Sequence, residues 1–174
     1  GVGLDGATSK SDLTDTTPGL NVSSFSISCW VNLSASQSSR IFFCKYYSVN
    51  GSGIALGIDD ATADKIKLFT ADTTTSNTLT SAIAITTGGW HHILGTATSG
   101  DKKIYIDGVQ NASNTSTQAI DYTNTVSAFG YLRGANTQYL NGKLDDLAFF
   151  SRVLTGSEVS TIFGEGGSFL VNII

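Results

Sequence analysis

Apolar and polar residues alternate along several short segments of the chain, and the clearest alternation begins at Phe25. Phe25, Ile27, Cys29 and Val31 occupy every second position, with serines and Trp30 between them. A period of two is typical of a β-strand that has one buried face. The pattern therefore predicts a strand whose core face carries these four side chains.

A second segment of strand character, residues 40–47, follows after the polar loop 34–39. Simple alternation in this segment predicts one face with Phe42, Cys44 and Tyr46 and an opposite face with Ile41 and Phe43. We expect the two segments to form an antiparallel hairpin across the polar loop.

The register of this hairpin decides how the two cysteines are arranged. If the loop is symmetric, Leu33 faces Arg40, and Cys29 lies opposite Cys44 on the core face. Directly opposed residues have Cβ atoms within about 5.5 Å, so a disulfide between Cys29 and Cys44 is sterically possible. Two packed thiols would also fit, because free cysteine is commonly a small core residue.

Three strands are predicted in the middle of the chain. Residues 90–98 and 102–106 are rich in β-branched and aromatic residues, and the turn-forming residues 99–101 separate them. Asp107-Gly108 tolerates the positive φ values of a two-residue hairpin turn, and a third strand begins at Val109. These features predict a tight antiparallel meander.

Other segments predict further strands and one helix. The strands are expected at residues 2–5, 53–58, 65–70, 78–85, 118–120 and 126–132. A helix is predicted over residues 156–163, because Thr155 is a good N-cap and Glu158 completes a capping box. Leu154 and Val159 occupy the positions of a hydrophobic staple, which supports this start of the helix.

Length and charge restrict the function classes. The 174 residues suit one domain, and 14 acidic against 10 basic residues give a net charge of −4. The basic residues are scattered, so no footprint for nucleic acid is visible. No apolar run approaches the roughly twenty residues of a membrane span. The chain begins with glycine and contains no Met, which we expect of a processed or excised product.

Two motifs resemble those of a known family. Trp90-His91-His92, the apolar strand that follows and the Ile-Tyr-Ile-Asp-Gly of residues 104–108 resemble the centre of laminin G-like domains of the concanavalin A-like jelly-roll class. Residues 139–150 are similar to the segment of that family that leads into a long strand near the C-terminus. The resemblance implies an all-β, two-sheet antiparallel jelly-roll sandwich over residues 1–165. It also implies that the long strand pairs with the first strand and that one short helix follows.

The resemblance further implies a structural calcium ion near the junction of the first and last strands. Asp145 is the expected side-chain ligand, and Asp5 is expected to contribute its carboxylate or its carbonyl. The alternative is that Asp145 only hydrogen-bonds to a neighbouring loop. The family carries a Phe-Asp-Gly motif at the end of the first strand, here Leu4-Asp5-Gly6, which is usually followed closely by further acidic residues. In this chain residues 7–10 are Ala-Thr-Ser-Lys instead.

The chain lacks the residues of a catalytic site. His91 and His92 are adjacent on a strand, so they point to opposite faces and cannot bind one metal ion together. A glycosidase needs two carboxylates on either side of the sugar bond. Laminarinase-type enzymes that share the jelly roll carry Glu-x-Asp-x-x-Glu on one strand, but the only glutamates here are Glu158 and Glu165. We therefore predict that the protein is not an enzyme.

The remaining function classes are binding and assembly. Aromatic rings stack on the apolar faces of sugars, and Tyr46, Tyr47, Tyr122 and Tyr131 are candidates for this role at strand ends. Ordinary packing within the sandwich is the alternative for each of them. The first hypothesis is a non-catalytic binding or adhesion module that recognises glycans, located extracellularly, on a cell surface or on a virion.

The second hypothesis concerns the apolar C-terminal tail, residues 166–174. It has high strand propensity because of Phe169, Leu170, Val171, Ile173 and Ile174. Such a segment must be covered, either by folding back on its own sandwich or by docking onto a second copy or a partner. Docking would make the protein a structural subunit that self-assembles into a homo-oligomer, a fibre or a particle shell.

Overall fold

The structure is a computed structural model that describes residues 1–14, 22–47, 52–72, 74–115, 126–133 and 135–165. Its strands are β1 (Val2–Asp5), β2 (Ser11–Thr14), β3 (Phe25–Leu33), β4 (Arg40–Tyr47), β5 (Ser52–Ile58), β6 (Lys65–Ala71), β7 (Ser76–Ala84), β8 (Trp90–Ala97), β9 (Lys102–Ile106), β10 (Val109–Asn114), β11 (Val126–Phe129) and β12 (Asn141–Phe150). One helix, α1 (Gly156–Gly164), follows β12.

The strands form two six-stranded antiparallel sheets. The first sheet, sheet A, has the order β1-β12-β3-β8-β9-β10, and the second, sheet B, has the order β2-β11-β4-β5-β6-β7. β1 pairs with β12 from Val2 opposite Leu144 to Asp5 opposite Asn141. The predicted two-sheet sandwich and the pairing of its first and last strands are confirmed. The predicted strand 118–120 and the tail 166–174 lie outside the described residues.

The core lies between the two sheets, and β3 contributes its predicted face. Phe25, Ile27, Cys29 and Val31 are all fully buried. The sheets approach each other closely at Gly95, where a Cβ would lie 3.1 Å from a methyl group of Leu68. Burial of each large apolar side chain stabilises the fold by about 1.5–3 kcal/mol, so the alternation of β3 contributes strongly to stability.

The predicted hairpin between β3 and β4 is wrong. β3 pairs with β12 and β8 in sheet A, whereas β4 pairs with β11 and β5 in sheet B. The polar loop 34–39 therefore crosses from one layer of the sandwich to the other. Local alternation specifies a strand with a buried face, but it does not specify which strand lies beside it.

The predicted faces of β4 are also wrong, because a β-bulge interrupts the strand between Ile41 and Phe43. A bulge adds a residue to one strand and reverses the alternation beyond it. Phe42 and Phe43 both belong to the core between the sheets, while Ile41 and Cys44 belong to a separate cluster on the outer face of sheet B.

The helix begins as the sequence predicts. Thr155 Oγ1 accepts a hydrogen bond from Glu158 N at 3.3 Å, and Thr155 N donates to Glu158 Oε2 at 2.8 Å, which completes the capping box. Leu154 and Val159 are buried against the outer face of sheet A, beside Leu94 and Tyr105. The helix therefore covers part of that face. Within the described residues, no helix is long and apolar enough to cross a membrane.

Candidate functional site

Four residues form one row on the outer face of sheet A. Trp90 of β8 lies opposite Asn32 of β3, which lies opposite Lys143 of β12, which lies opposite Gly3 of β1. Directly opposed residues of neighbouring strands project from the same face. We call these four residues the Trp90 row. It spans four strands, which is about 14 Å at the usual strand spacing.

Trp90 gives the row an aromatic surface in contact with solvent. Its side chain is 41% exposed, and among the described residues it is the one aromatic side chain with this degree of exposure. A Cβ on Gly1 would lie 2.9 Å from Cη2 of the indole, so the ring extends from β8 across the sheet towards the start of β1. The indole therefore lies along the face of the sheet.

The row is open because the helix covers only the neighbouring part of the sheet. The next row includes Trp30 and His92, which lie opposite each other. Phe163 of α1 stacks on Trp30 with a centroid distance of 5.8 Å and lies 6.1 Å from His92. The covered part of the face ends at these rings, and the Trp90 row lies beyond them.

A hydrogen-bond network fixes the start of β8 and thereby the position of Trp90. Thr86 N donates to His91 Nε2 at 3.3 Å, so the proton of the imidazole is assigned to Nδ1, which donates to Asp107 Oδ2 at 2.8 Å. The other oxygen of Asp107 accepts a hydrogen bond from His92 N at 2.9 Å. The carboxylate thus connects the end of β9 to the first residues of β8.

The two histidines face opposite sides of the strand, as the sequence predicts. The imidazole of His92 is buried, packs 5.4 Å from the ring of Trp30 and has Nε2 2.8 Å from Ser28 Oγ. Burial lowers the pKa of His92 to about 4, so its ring is neutral at physiological pH. His91 and His92 therefore do not form a shared metal site.

One ammonium group lies at the centre of the row. Lys143 is exposed, and within the part of the chain that the structure describes its ammonium group forms no hydrogen bond or ion pair. Asn32 Nδ2 donates to Gly88 O at 3.2 Å, which leaves the amide oxygen of Asn32 and its second N–H available to a ligand. The row thus combines an aromatic surface with hydrogen-bond donors and an acceptor.

Two carboxylates flank the row, and Asp145 is the first of them. Its Oδ2 lies 2.8 Å from the Gly1 ammonium, and its Oδ1 accepts a hydrogen bond from Asp146 N at 3.1 Å. The hydrogen bond from the Gly1 ammonium lowers the pKa of Asp145 below its ordinary value. Asp145 is therefore ionised at neutral pH.

Asp5 is the second carboxylate, and it organises the turn that follows β1. Its Oδ1 accepts hydrogen bonds from the backbone N–H groups of Ala7, Thr8 and Ser9 at 2.8–2.9 Å, and Thr8 Oγ1 donates to Oδ2 at 2.7 Å. The hydrogen bonds from Ser9, Thr8 and Ala7 hold the pKa of Asp5 well below its ordinary value.

The two predicted calcium ligands lie at opposite ends of the β1–β12 ladder. Asp5 lies opposite Asn141, which precedes Asp145 by four residues on β12. That offset corresponds to about 13 Å along a strand, whereas calcium binds its ligand oxygens at 2.3–2.6 Å. No group of three or more His, Cys, Asp or Glu side chains suited to a metal occurs among the described residues. The residues present do not fit one calcium ion held by Asp5 and Asp145 together.

Tyr131 does not offer its ring to a ligand. It is buried on the outer face of sheet B, stacks on Tyr139 at a centroid distance of 5.5 Å, and lies under the ammonium of Lys10 at 5.3 Å. Its hydroxyl donates to Asp12. The side chains of Tyr46 and Tyr47, and all of Tyr122, lie outside the described residues, so their predicted role stays a prediction.

The two cysteines are free thiols and are buried in different places. Cys29 lies opposite Ile93 and faces the core between the sheets, whereas Cys44 lies opposite Ala55 on the outer face of sheet B. The predicted register that opposes them is wrong, and the disulfide alternative falls with it. The tail residues Phe169, Leu170, Val171, Ile173 and Ile174 lie outside the described residues.

The sequence did not identify the Trp90 row as a site. Trp90 is visible as part of a motif, but the motif does not reveal that its indole is exposed. Asn32 and Lys143 are more than fifty residues from Trp90 in the chain, and only the register of β3, β8 and β12 brings them beside it.

One family model matches most of the chain. The family model Laminin_G_3, described as concanavalin A-like lectin/glucanases superfamily, matches residues 5–160. No curated protein matches the sequence.

Several solved structures share the fold. Domain 4 of AbnA, an extracellular GH43 arabinanase from Geobacillus stearothermophilus solved in complex with arabinotriose, is 24% identical with a TM-score of 0.67, over 87% of this chain and 70% of that chain. A candidate carbohydrate-binding protein from Bacteroides ovatus is 17% identical with a TM-score of 0.66, over 79% of this chain and 40% of that chain. The binding domain of botulinum neurotoxin serotype G is 19% identical with a TM-score of 0.62, over 90% of this chain and 38% of that chain. The chain thus spans about two fifths of the last two proteins. The TM-scores establish a common fold.

Proposed function

This chain belongs to the concanavalin A-like lectin/glucanases superfamily, and from that premise we propose that it is a non-catalytic carbohydrate-binding module whose ligand stacks on Trp90. The observation that carries the proposal is the exposed indole in one row with an amide and an ammonium group. Two of the similar structures support a carbohydrate ligand. Domain 4 of AbnA was solved with arabinotriose, and the protein from Bacteroides ovatus is a candidate carbohydrate-binding protein.

The physical chemistry of the Trp90 row suits a saccharide. The faces of pyranose and furanose rings present apolar C–H groups, which an indole covers while it excludes water. The hydroxyl groups around the ring then require donors and acceptors at its edge. Asn32 provides both, and Lys143 provides donors, so the row supplies the two kinds of contact that a sugar needs.

Binding without catalysis agrees with the positions of the carboxylates. Hydrolysis of a glycosidic bond uses two carboxyl groups about 5–9.5 Å apart on either side of that bond. Of the two carboxylates that flank the Trp90 row, Asp5 lies opposite Asn141, four residues before Asp145 on β12, which is about 13 Å along a strand. Both are fixed by hydrogen bonds to other groups of the protein, which leaves neither poised as a proton donor.

A module of this kind acts where glycans are displayed, so we place the protein outside the cell, on a cell surface or on a virion. Two of the features predicted from the sequence stay predictions. One is the structural calcium ion, which the proposed site does not use. The other is self-assembly through the tail 166–174.

The test compares matched variants on a glycan array, followed by titration calorimetry with each glycan that binds. We expect Trp90→Ala to reduce affinity at least tenfold, because stacking on an aromatic ring contributes on the order of 1 kcal/mol in addition to the burial of its apolar surface. Trp90→Phe should retain part of the affinity. Ile83→Ala serves as the control, since Ile83 is 56% exposed on β7, far along the other sheet. Unchanged binding by Trp90→Ala would exclude this site.

A further inference from the structure

We infer that the Trp90 row selects neutral saccharides over saccharides that carry carboxylate or sulfate groups. This inference rests on the proposed function and names the class of ligand for the same site. It follows from the charges that surround Lys143, together with the geometry of the ladder between β1 and β12.

Lys143 is placed between the two carboxylates on the same face. Asp145 follows it by two positions on β12, which corresponds to about 7 Å along a strand. Gly3 of β1 lies opposite Lys143, and Asp5 follows Gly3 by two positions. Asp5 and Lys143 are therefore diagonal neighbours, whose Cα atoms are usually about 7–8 Å apart. Lys143 therefore has one carboxylate on either side of it.

Both carboxylates keep their charge in the folded protein. Asp5 accepts four hydrogen bonds from residues 7–9, and Asp145 pairs with the Gly1 ammonium. The ammonium group of Lys143 is thus flanked by two carboxylates, and the site has no surplus of positive charge. The chain as a whole carries a net charge of −4. An anionic ligand gains little binding free energy from one solvent-exposed lysine, and the carboxylates on either side of that lysine repel the ligand.

A neutral polyhydroxyl ligand uses the same groups without that conflict. Lys143 donates to hydroxyl oxygens, the carboxylate of Asp145 accepts from hydroxyl groups, and the amide of Asn32 does both. Donors and acceptors that alternate across the face match the hydroxyl groups of a neutral sugar, each of which donates and accepts. The length of the row, about 14 Å, favours an oligosaccharide over a single sugar.

The experiment uses matched pairs of oligosaccharides, such as trimers of galactose and of galacturonic acid, and of mannose and of mannuronic acid. Each pair differs chiefly in a hydroxymethyl or a carboxylate group at C6. Titration calorimetry with the full chain is carried out at about 20 mM and at about 1 M NaCl, where the Debye length falls to about 3 Å. A chip with sulfated and unsulfated forms of one glycan extends the comparison.

We expect the neutral member of a recognised pair to bind about threefold more tightly or better in low salt, as repulsion between like charges at about 7 Å predicts. The difference should shrink in high salt, and the affinity of the neutral member should stay constant. Asp145→Asn should reduce the difference in affinity between the neutral and the acidic saccharide, and Lys143→Gln should increase it. The control Ile83→Ala should leave this difference unchanged.

The outcomes separate this inference from the function on which it rests. Tighter binding of the acidic member, or an affinity for it that falls as salt is added, overturns the selectivity while Trp90-dependent binding of glycans still stands. If no saccharide of either kind binds to the chain, the proposed function fails together with the inference.

Discussion

The imidazole of His91 and the carboxylate of Asp107 are joined by a hydrogen bond of 2.8 Å between Nδ1 and Oδ2. This bond links the end of β9 to the beginning of β8, where Trp90 presents its indole. Because the same carboxylate also accepts from His92 N, it holds two consecutive residues of β8 in place. The position of Trp90 in the proposed site therefore depends on a contact that lies outside the Trp90 row.

Asp107→Ala should lower the free energy of unfolding by about 1.5–3 kcal/mol, the range for hydrogen bonds to charged groups. Removing the carboxylate leaves His91 Nδ1 and His92 N without their acceptor. Chemical denaturation monitored by tryptophan fluorescence measures the change. Asp101→Ala is the control, because the exposed pair of Asp101 with Lys103 should contribute less than about 1 kcal/mol. Equal effects of the two substitutions would contradict the role assigned to Asp107.

His92 should make the stability depend on pH between about 4 and 6.5. Burial lowers the pKa of His92 to about 4 in the folded protein, while the unfolded chain keeps the ordinary value near 6.5. The unfolded state therefore binds more protons in this interval, and the free energy of unfolding rises with pH through it, by up to about 3 kcal/mol. That contribution is lost as the pH falls from 6.5 to 4.

His92→Gln tests this relationship, because glutamine can accept a hydrogen bond from Ser28 Oγ but does not titrate. Urea denaturation at a series of pH values should give a flatter profile for the variant than for the unchanged chain in this interval. The aspartates titrate in both proteins, so their contribution to the pH dependence of the free energy of unfolding cancels when the two profiles are compared. Parallel profiles would show that the imidazole ring is not buried in its neutral form.

Asp5 should stabilise the fold without a metal ion. Asp5→Ala removes the acceptor of three backbone N–H groups and one hydroxyl in the turn after β1, so we expect a lower melting temperature. The loss should be the same in excess calcium and in EDTA. Because the folded pKa of Asp5 lies below its ordinary value, its contribution is present at neutral pH and is lost only in acid, below about pH 4.

The same melting experiment tests the calcium ion predicted from the family resemblance. If calcium raises the melting temperature of the unchanged chain and Asp145→Asn abolishes the rise, Asp145 is a ligand. If only Asp5→Ala abolishes the rise, Asp5 binds the ion, and the metal-independent role given to its carboxylate is wrong.

The two thiols should be inert in the folded protein. Burial raises the pKa of Cys29 to about 12 and that of Cys44 to about 11, so neither forms the reactive thiolate at neutral pH. We expect dithiothreitol to leave the melting temperature unchanged. Iodoacetamide should modify both cysteines only after urea unfolds the chain, as mass spectrometry would detect. A melting temperature that falls on reduction would show that Cys29 and Cys44 form a disulfide in the folded protein.

The parts of this structure that could be predicted from the sequence depend on contacts between residues that are close together in the chain. Thr155 and Glu158 specify the start of the helix because both bonds of the capping box close within one turn. Asp107-Gly108 specifies its hairpin in the same way, with φ values of 50° and 77°. Local chemistry alone decides these features.

The parts that could not be predicted depend on which strands become neighbours. Cys29 and Cys44 belong to strands that look like a hairpin, yet the polar loop between them crosses between the sheets. One inserted residue at the bulge of β4 then turns Cys44 to the outer face. The candidate site has the same origin, because Asn32 meets Trp90 only through the pairing of β3 with β8. No local pattern specifies that pairing.

The position of β12 between β1 and β3 has a consequence for how the protein is made. β12 joins two strands that precede it by more than a hundred residues, so sheet A stays split until β12 itself has left the ribosome. Contacts this distant in sequence are slow to form, since a large loop must close first. Until then, β1 and β3 expose unpaired edges through which nascent chains can pair with one another. The pairing of β12 with β1 and β3 therefore ends the period in which these two edges carry the greatest risk of aggregation.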